Sequence, residues 1–170
     1  MELRVGIGLD AHAFGEEIGL VLGGVEFPSE RGLAGHSDGD VIAHALVDAL
    51  LGAAGLGDIG ELFPSGDPRW LDASSIRLLQ RAYEVVKGAG YELVNADCVL
   101  VAEGPRIAPV REQMRTRLAG AMGVTPSQVA VRATTTDRLG FTGRREGLAA
   151  QAVALLRHRA SPASTPRAGA

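Results

Sequence analysis

The chain has 170 residues and a mass of 17.6 kDa, which suits a single domain. Hydrophobic residues make up 46% and charged residues 22%, a balance that excludes a disordered chain and a small disulfide-held scaffold. The net charge of −3 argues against non-specific binding to nucleic acid. The single cysteine, Cys98, excludes an internal disulfide and favours a reducing compartment, so we expect a cytoplasmic protein. No segment resembles a secretory signal or a membrane span.

The first segment predicts a strand. Apolar residues occupy the odd positions from Leu3 to Leu9, with Gly6 and Gly8 between them. This alternation predicts that the odd positions face the core. Asp10 and His12 then lie together on the opposite face, where the two glycines leave open space.

The remaining elements alternate between strands and helices. A short strand or hairpin is predicted over 20–27, ending at Pro28, and further strands over 94–102 and 129–133. Helices are predicted from Ser37 or Asp38 to about 54, from Asp72 to about 87, from 109 to 123 and over about 147–158. We therefore expect an α/β or α+β domain over 1–159, with helices on one face of a mixed sheet. The Pro-, Ser- and Ala-rich residues 160–170 are predicted to be a disordered tail.

A group of histidines near the N-terminus is the first candidate site. Asp10 and His12 can offer an oxygen and a nitrogen to one ion. In HSDGDVIAH, His44 follows Asp40 by one helical turn, so both should project from the same side, away from the apolar stripe of that helix. These residues favour an Asp-His-His metal site with an open fourth position about as strongly as they favour ordinary half-buried histidines.

Two loops could bind phosphate or hydroxyl groups. The start of the first helix, after His36 and Ser37, offers free amides to an anion. Asp58, between Gly57 and Gly60, either binds hydroxyls or caps a turn. The run ATTTDRLGFTGR is either a solvated strand end or a site for a phosphate with a hard cation.

Several other patterns are set aside. The Gly-x-Gly at residues 6–8 lacks the third glycine and the helix of a dinucleotide-binding motif. No GxSxG motif is present, and Cys98 lies within an apolar strand, which predicts a core residue and not a nucleophile.

Three longer segments carry a resemblance to a known family. They are GLDAHAF, GHSDGDVIAHALVDALLGAAGLGDIGELFP and ATTTDRLGFTGRREG, and the similarity runs from about Arg4 to Leu156. The middle segment is too long to match by chance. The sequence resembles the 2-C-methyl-D-erythritol 2,4-cyclodiphosphate synthases, the cyclising enzymes of the non-mevalonate isoprenoid pathway.

The resemblance implies a homotrimer whose sheets face the three-fold axis and whose active sites lie between subunits. It implies cyclisation of 4-diphosphocytidyl-2-C-methyl-D-erythritol 2-phosphate with release of CMP. It also implies Zn²⁺ on Asp10, His12 and His44, and Mg²⁺ or Mn²⁺ near Asp137, where the family usually has Glu. A cavity on the axis could hold an isoprenoid diphosphate; neither nucleic acid nor membrane is an expected partner.

Position by position, the resemblance also implies roles for site residues. A neighbouring subunit would supply the cytidine pocket, from residues 102–108 and 133–135. Leu9 replaces a common Phe, while Arg106 and Arg138 replace common Lys residues. The residues expected to be catalytic are His36, Thr135 and Asp137. The expected substrate contacts are Asp10, His12, His36, Ser37, Asp58, Gly60, Phe63, Ala102, Pro105, Arg106, Ala133, Thr134, Thr135, Phe141 and Arg144.

Two other functions are compatible with the residues alone. A hydrolytic zinc enzyme would use the open metal position for hydroxide and would incorporate solvent oxygen into its product. A trimeric module that only binds cytidine nucleotides would need no open metal position.

Overall fold

Five strands form one mixed sheet in the computed structural model, which describes residues 2–34, 38–64, 66–70 and 73–159. The strand order is β2-β1-β5-β3-β4; β3 and β4 are parallel, and the other neighbours are antiparallel. The strands are β1 (Leu3–Leu22), β2 (Val25–Leu33), β3 (Tyr91–Val101), β4 (Val129–Thr134) and β5 (Gly147–His158). The helices are α1 (Val41–Ala54), α2 (Ile59–Leu62), α3 (Ser75–Gly88), α4 (Arg111–Met122) and α5 (Gly140–Gly143).

Helix α1 packs on β1 and β5, and α3 and α4 complete the helical layer on that face. The expected single domain with helices on one face of a mixed sheet is confirmed. No helix within the described residues is long and apolar enough to cross a membrane. The predicted tail at 160–170 lies outside the described residues.

The predicted buried face of β1 is wrong. The odd residues from Leu3 to Leu9 are 53–70% exposed, and the even residues Gly6 and Gly8 are buried against α1. A Cβ on Gly8 would overlap the carbonyl oxygen of Ala45, and one on Gly6 would overlap that of Ala49. The glycines therefore leave no open space, because the backbone of α1 fills it. The apolar odd face is left on the outside of the described chain.

The predicted final helix is also wrong, since residues 147–158 form the central strand β5. Its small alternating residues Ala150, Ala152 and Ala154 are completely buried beneath the helices. Alanine has high intrinsic helix propensity, but here it allows a helix to approach the sheet closely. Tertiary packing overrides the local preference in this segment.

Most other boundaries differ from the predictions by a few residues. The hairpin is confirmed, but β2 continues past Pro28 to Leu33. An edge strand tolerates proline, and Pro28 lies in an irregular stretch between the paired residues Phe27 and Arg31. The first helix begins after Asp40, and the second begins after Ser74. Helices α1 and α4 end at the left-handed C-caps Gly55 and Gly123, close to the predicted ends at about 54 and 123.

The buried carboxylate of Asp40 ties the start of α1 to the turn between β1 and β2. One oxygen accepts hydrogen bonds from the amides of Gly23, Ile42 and Ala43, and the other accepts from Gly24 at 2.7 Å. Burial raises the pKa of Asp40 to about 6, although the amide hydrogen bonds act in the opposite direction. This contact fixes the position of α1 along the sheet.

We expect Gly8→Ala to destabilise the protein by about 3 kcal/mol or more, because the added methyl group meets the backbone of α1 and no side chain can move aside. Gly52→Ala is the matched control in the same layer. Gly52 is exposed within α1, and its Cβ would have ordinary contact distance to Ile7, so this variant should be neutral or more stable by up to about 1 kcal/mol. Urea unfolding followed by circular dichroism measures both. Equal stability of the two variants would contradict the close packing of α1 on β1.

Candidate metal centre

Three side chains from β1 and α1 converge near the end of the sheet at which β5 begins. Asp10 Oδ2 lies 3.1 Å from His12 Nε2 and 3.0 Å from His44 Nδ1. The ligand atoms of all three residues lie within 4.8 Å of one another. Ligand atoms of a tetrahedral zinc ion with bonds of about 2.0–2.1 Å are separated by roughly 3.3 Å. The three residues predicted from the sequence therefore form a cluster that fits a metal ion.

Hydrogen bonds on the far side of each ring orient the imidazoles. His12 Nδ1 lies 2.8 Å from the carbonyl oxygen of Ala34, which can only accept, so Nδ1 donates its proton there. Nε2 of a neutral His12 then directs its lone pair toward Asp10. A carboxylate facing a nitrogen lone pair at 3.1 Å requires a cation, either a proton or a metal ion. This donor set and orientation match a metal site.

Hydrogen bonds within the cluster shift the pKa values of Asp10 and His12. Burial acts to raise the pKa of Asp10, but the hydrogen bonds that protonated His12 and His44 rings donate to it outweigh burial and hold the pKa below its usual range. The hydrogen bond to Asp10 raises the pKa of His12, with burial acting in the opposite direction. Asp10 is therefore an anion at neutral pH and is available as an oxygen ligand.

Asp40 does not belong to this cluster, contrary to the prediction that it projects alongside His44. Its carboxylate is directed into the Gly23–Gly24 turn. Helix α1 also lacks the predicted polar side. Twelve of its fourteen residues are buried, His44 among them, because α3 covers the face turned away from the sheet. His44 is thus held in the helical layer and not on a solvated surface.

Helix α2 lies next to the cluster because Asp48, one turn after His44 on α1, accepts a hydrogen bond from the Ile59 amide at 2.8 Å. Burial raises the pKa of Asp48, and the negative charges of Asp58 and Asp10 add to this effect. Asp58 is exposed and caps α2 through the Glu61 amide. The capping role that the sequence left open for Asp58 is therefore present.

The other predicted contacts in this region occupy different environments. Gly60 is exposed on α2, while Phe63 is mostly buried and stacks edge-on against Trp70 with ring centroids 4.8 Å apart. His36 and Ser37 lie outside the described residues.

The predicted cytidine-pocket segments are neighbours within one chain. The Ala102 amide donates to the Thr134 carbonyl at 3.0 Å, which joins the ends of the parallel strands β3 and β4. Glu103 accepts hydrogen bonds from the amides of Thr136 and Arg138 and so holds the second loop against the first. Pro105, Arg106, Ala133 and Thr135 lie in or beside these loops, and Ala133 and Thr135 are exposed.

The threonine-rich loop has an unusual backbone. Asp137 and Arg138 both adopt positive φ, at 53° and 66°. Such angles are uncommon outside glycine and place an exposed carboxylate at a sharp turn, where the Asp137 amide donates to the Thr135 hydroxyl at 3.3 Å. Further along, Phe141 is 42% exposed on α5, and Arg144 forms a two-pronged ion pair with Glu146.

The metal cluster and this loop region lie at the same end of the sheet but on different strands. Asp10 and Leu100 are both in register with Ala150 of β5. From β1 to β4 there are three interstrand steps, roughly 14 Å at about 4.8 Å each. The structure thus brings each predicted group together but separates the two groups across the sheet.

Sequence reasoning missed Ser75, Asp38 and Glu103. Ser75 Oγ lies 2.8 Å from His44 Nε2, and Ser75 also bonds to Asp38. Each of these contacts joins residues 31 or more positions apart, so no local pattern could have indicated them.

Comparisons with known proteins agree over most of the chain. A model of the YgbB family matches residues 3–157. The 2-C-methyl-D-erythritol 2,4-cyclodiphosphate synthase of Rubrobacter xylanophilus is 61% identical over 156 residues, covering 90% of this chain and 94% of the relative. The synthase of the same name from Moorella thermoacetica is 58% identical over 154 residues, covering 91% and 94%.

Solved structures show the same fold. The bifunctional IspDF of Campylobacter jejuni matches with a TM-score of 0.88 and 44% identity, over 92% of this chain and 42% of that chain. The IspF of Plasmodium falciparum in complex with CDP matches with a TM-score of 0.79 and 32% identity, over 92% and 97%. A family model matched over nearly the whole chain, together with relatives above half identity, shows that this chain belongs to the YgbB family of 2-C-methyl-D-erythritol 2,4-cyclodiphosphate synthases.

Proposed function

We propose that this chain converts 4-diphosphocytidyl-2-C-methyl-D-erythritol 2-phosphate into 2-C-methyl-D-erythritol 2,4-cyclodiphosphate and CMP. The observation that carries the proposal is the Asp10-His12-His44 cluster in a chain of this family. In this reaction an oxygen of the 2-phosphate forms a bond to the β-phosphorus, and the bond from that phosphorus to the oxygen of CMP breaks.

The nucleophile is already an anion, so the protein needs no residue to form a covalent intermediate. This agrees with the burial of Cys98, which raises the pKa of its thiol to about 12 and keeps it unreactive. The main barrier is bringing negative phosphates together in line. Positioning of both ends of the substrate by fixed groups therefore supplies most of the rate enhancement.

We assign Zn²⁺ to the Asp10-His12-His44 cluster, because two imidazoles and one carboxylate are a typical zinc ligand set with an open position. We assign Mg²⁺ or Mn²⁺ to the region of Asp137, because a carboxylate is a hard oxygen ligand. When bound, these ions supply positive charge that neutralises and orients the phosphates.

The chain's own residues hold the two ends of the substrate. We assign the methylerythritol hydroxyls to Asp58 and the Gly60 amide, with Phe63 nearby, and phosphate oxygens to His36 and Ser37. The two loops joined by the contact between Ala102 and Thr134 form the cytidine pocket. The CDP complex of the Plasmodium falciparum neighbour supports a nucleotide site in this fold.

Thr135 and Asp137 flank the leaving group in this assignment. Both are exposed, and the hydrogen bond from the Asp137 amide to the Thr135 hydroxyl fixes their relative position. Pro105 and Arg106, in the loop after β3, complete the proposed pocket.

We propose that three copies of the chain assemble through the exposed face of the sheet. Val5, Ile7 and Leu9 are 64–70% exposed, and Val153 of β5 lies in register with Ile7. Contiguous apolar patches of this kind mark interfaces. The cytidine loops follow β3 and β4, which lie two and three strands from β1 and the metal cluster of their own chain, so we assign them to the site of the neighbouring subunit.

Phe141 and Arg144 would then lie near the three-fold axis, where we propose that a cavity accepts an isoprenoid diphosphate. The salt bridge from Arg144 to Glu146 would have to open for the guanidinium to bind the diphosphate. A cytoplasmic location stays a prediction from the sequence.

Phosphorus NMR of the substrate with the protein, zinc and magnesium tests the reaction. We expect cyclic diphosphate resonances and stoichiometric CMP, and His44→Ala should lower the rate by about 100-fold or more and lose zinc while remaining folded. His158→Ala is the control, since His158 is exposed and stacks only on Tyr91 among the ring contacts described. A linear product carrying solvent oxygen would indicate hydrolysis, and binding of CMP without turnover would indicate a binding module.

Asp137→Ala should lower the cyclisation rate by about 100-fold, because the leaving phosphate loses its carboxylate-held cation. Asp137→Glu should keep at least the parent rate, since it lengthens the arm but keeps the charge. Glu84→Ala, on the exposed face of α3, is the matched control and should not change the rate. Initial rates across a magnesium titration measure all three. An unchanged rate in Asp137→Ala would remove this residue from the proposed site.

Ile7→Asp should convert the trimer to a monomer and abolish cyclisation, because three buried charges would meet across the apolar patch. Lys87→Asp, which places a new negative charge on α3 in the helical layer, should leave the trimer intact. Sedimentation velocity measures the assembly. A monomeric parent protein that cyclises its substrate would contradict both the trimer and the shared site.

A further inference from the structure

The far side of the His44 ring contacts a pair of side chains to which neither the reaction nor the metal cluster assigns a role. Ser75, the first residue of α3, is completely buried, and its Oγ lies 2.8 Å from His44 Nε2. Both the hydroxyl and the amide of Ser75 hydrogen-bond to the Asp38 carboxylate. We propose that Ser75 and Asp38 are positioning residues that hold His44 in the tautomer whose Nδ1 binds the metal ion. This inference rests on the metal site of the proposed function.

The direction of the hydrogen bonds follows from the donors and acceptors available. An ionised carboxylate can only accept, so the Ser75 hydroxyl donates its proton to Asp38. The Ser75 oxygen then accepts a hydrogen bond from the Nε2–H group of His44. Because a neutral imidazole carries one ring proton, Nδ1 is left with its lone pair directed at the cluster, 3.0 Å from Asp10.

This arrangement is a carboxylate-hydroxyl-imidazole relay from Asp38 through Ser75 to His44. Outer hydrogen bonds of this type fix the orientation and tautomer of a ligand histidine. His12 is oriented by the backbone carbonyl of Ala34, which no side-chain substitution removes. Zinc affinity should therefore depend on the side chains behind His44, which are not themselves metal ligands, and not on any side chain behind His12.

The relay also links separate parts of the helical layer. Asp38 accepts a hydrogen bond from the Asp40 amide at 3.3 Å, just before α1, and from the Ser75 amide at 3.1 Å, at the start of α3. A shift of α3 against α1 would therefore change the orientation of His44. The geometry of the metal site depends on the packing of these two helices.

Zinc affinity, measured by competition with a chromophoric chelator, tests the relay without requiring turnover. We expect Ser75→Ala to weaken zinc binding by about 10- to 100-fold. Ser74→Ala is the matched control, because Ser74 is the adjacent cap of α3 and, within the described residues, its hydroxyl hydrogen-bonds only to the Arg77 amide. The Ser74→Ala variant should destabilise the start of α3 about as much as Ser75→Ala does, but it should bind zinc with the affinity of the parent protein. Asp38→Asn keeps the hydroxyl of Ser75 and should weaken zinc binding by about 10-fold.

Nitrogen-15 NMR of the His44 ring gives a second measurement that does not depend on a variant folding. In the zinc-loaded parent we expect the metal on Nδ1 and a proton on Nε2 that exchanges slowly with solvent. Metal on Nε2, or a Ser75→Ala variant that binds zinc as tightly as the parent, would overturn the relay. Absence of zinc binding in the parent, or full zinc binding by His44→Ala, would instead overturn the metal site of the proposed function.

Discussion

The position of the site depends on direct contact between the backbone of α1 and the strand β1. Gly6 and Gly8 have no side chains, so the turn of α1 around Ala45 and Ala49 packs against the strand without an intervening layer. This close approach brings His44 over the even face of β1, where Asp10 and His12 project. Any residue larger than glycine would separate the two elements and pull the nitrogen of His44 away from the carboxylate.

The cluster assembled by this contact is electrostatically incomplete without a cation. His12 directs a ring lone pair at a carboxylate that stays ionised, and the relay from Ser75 gives His44 the same orientation. In water each ring could rotate to another partner. Here the carbonyl of Ala34 and the hydroxyl of Ser75 hold the rings in place, so the ring lone pairs and the carboxylate repel each other unless a proton or a metal ion lies between them. A metal ion converts that repulsion into binding.

The two faces of the sheet have different surroundings. Its even face is covered by the helices of the same chain, through small residues such as Ala152 in β5. Its odd face, which includes Ile7 and Val153, is apolar but uncovered in the single chain. Assembly through that face would bury it and would place the loops near Thr134 beside the metal cluster of another copy. In this proposal, the same assembly step buries the apolar face and brings together the two halves of the active site.

The amino-acid sequence alone predicts the class of fold, the family and the three members of the metal cluster. The long motif from 35 to 64 and the short Asp-x-His pattern are local, and local patterns are readable along one chain. The sequence also predicted the ends of α1 and α4, because a left-handed glycine is a local backbone requirement.

The buried face of β1 and the strand conformation of residues 147–158 depend on contacts that exist only in the folded chain. An alternation of apolar and small residues shows that two faces differ, but it does not show which one meets a helix and which one is left for another chain. In β5 the alanines fit a helix by propensity and a central strand by packing, and the packing is set by residues far away in sequence. The roles of Ser75 and Asp38 could not be predicted from the sequence for the same reason. They come from contacts with residues more than 30 positions away, which exist only once the chain has folded.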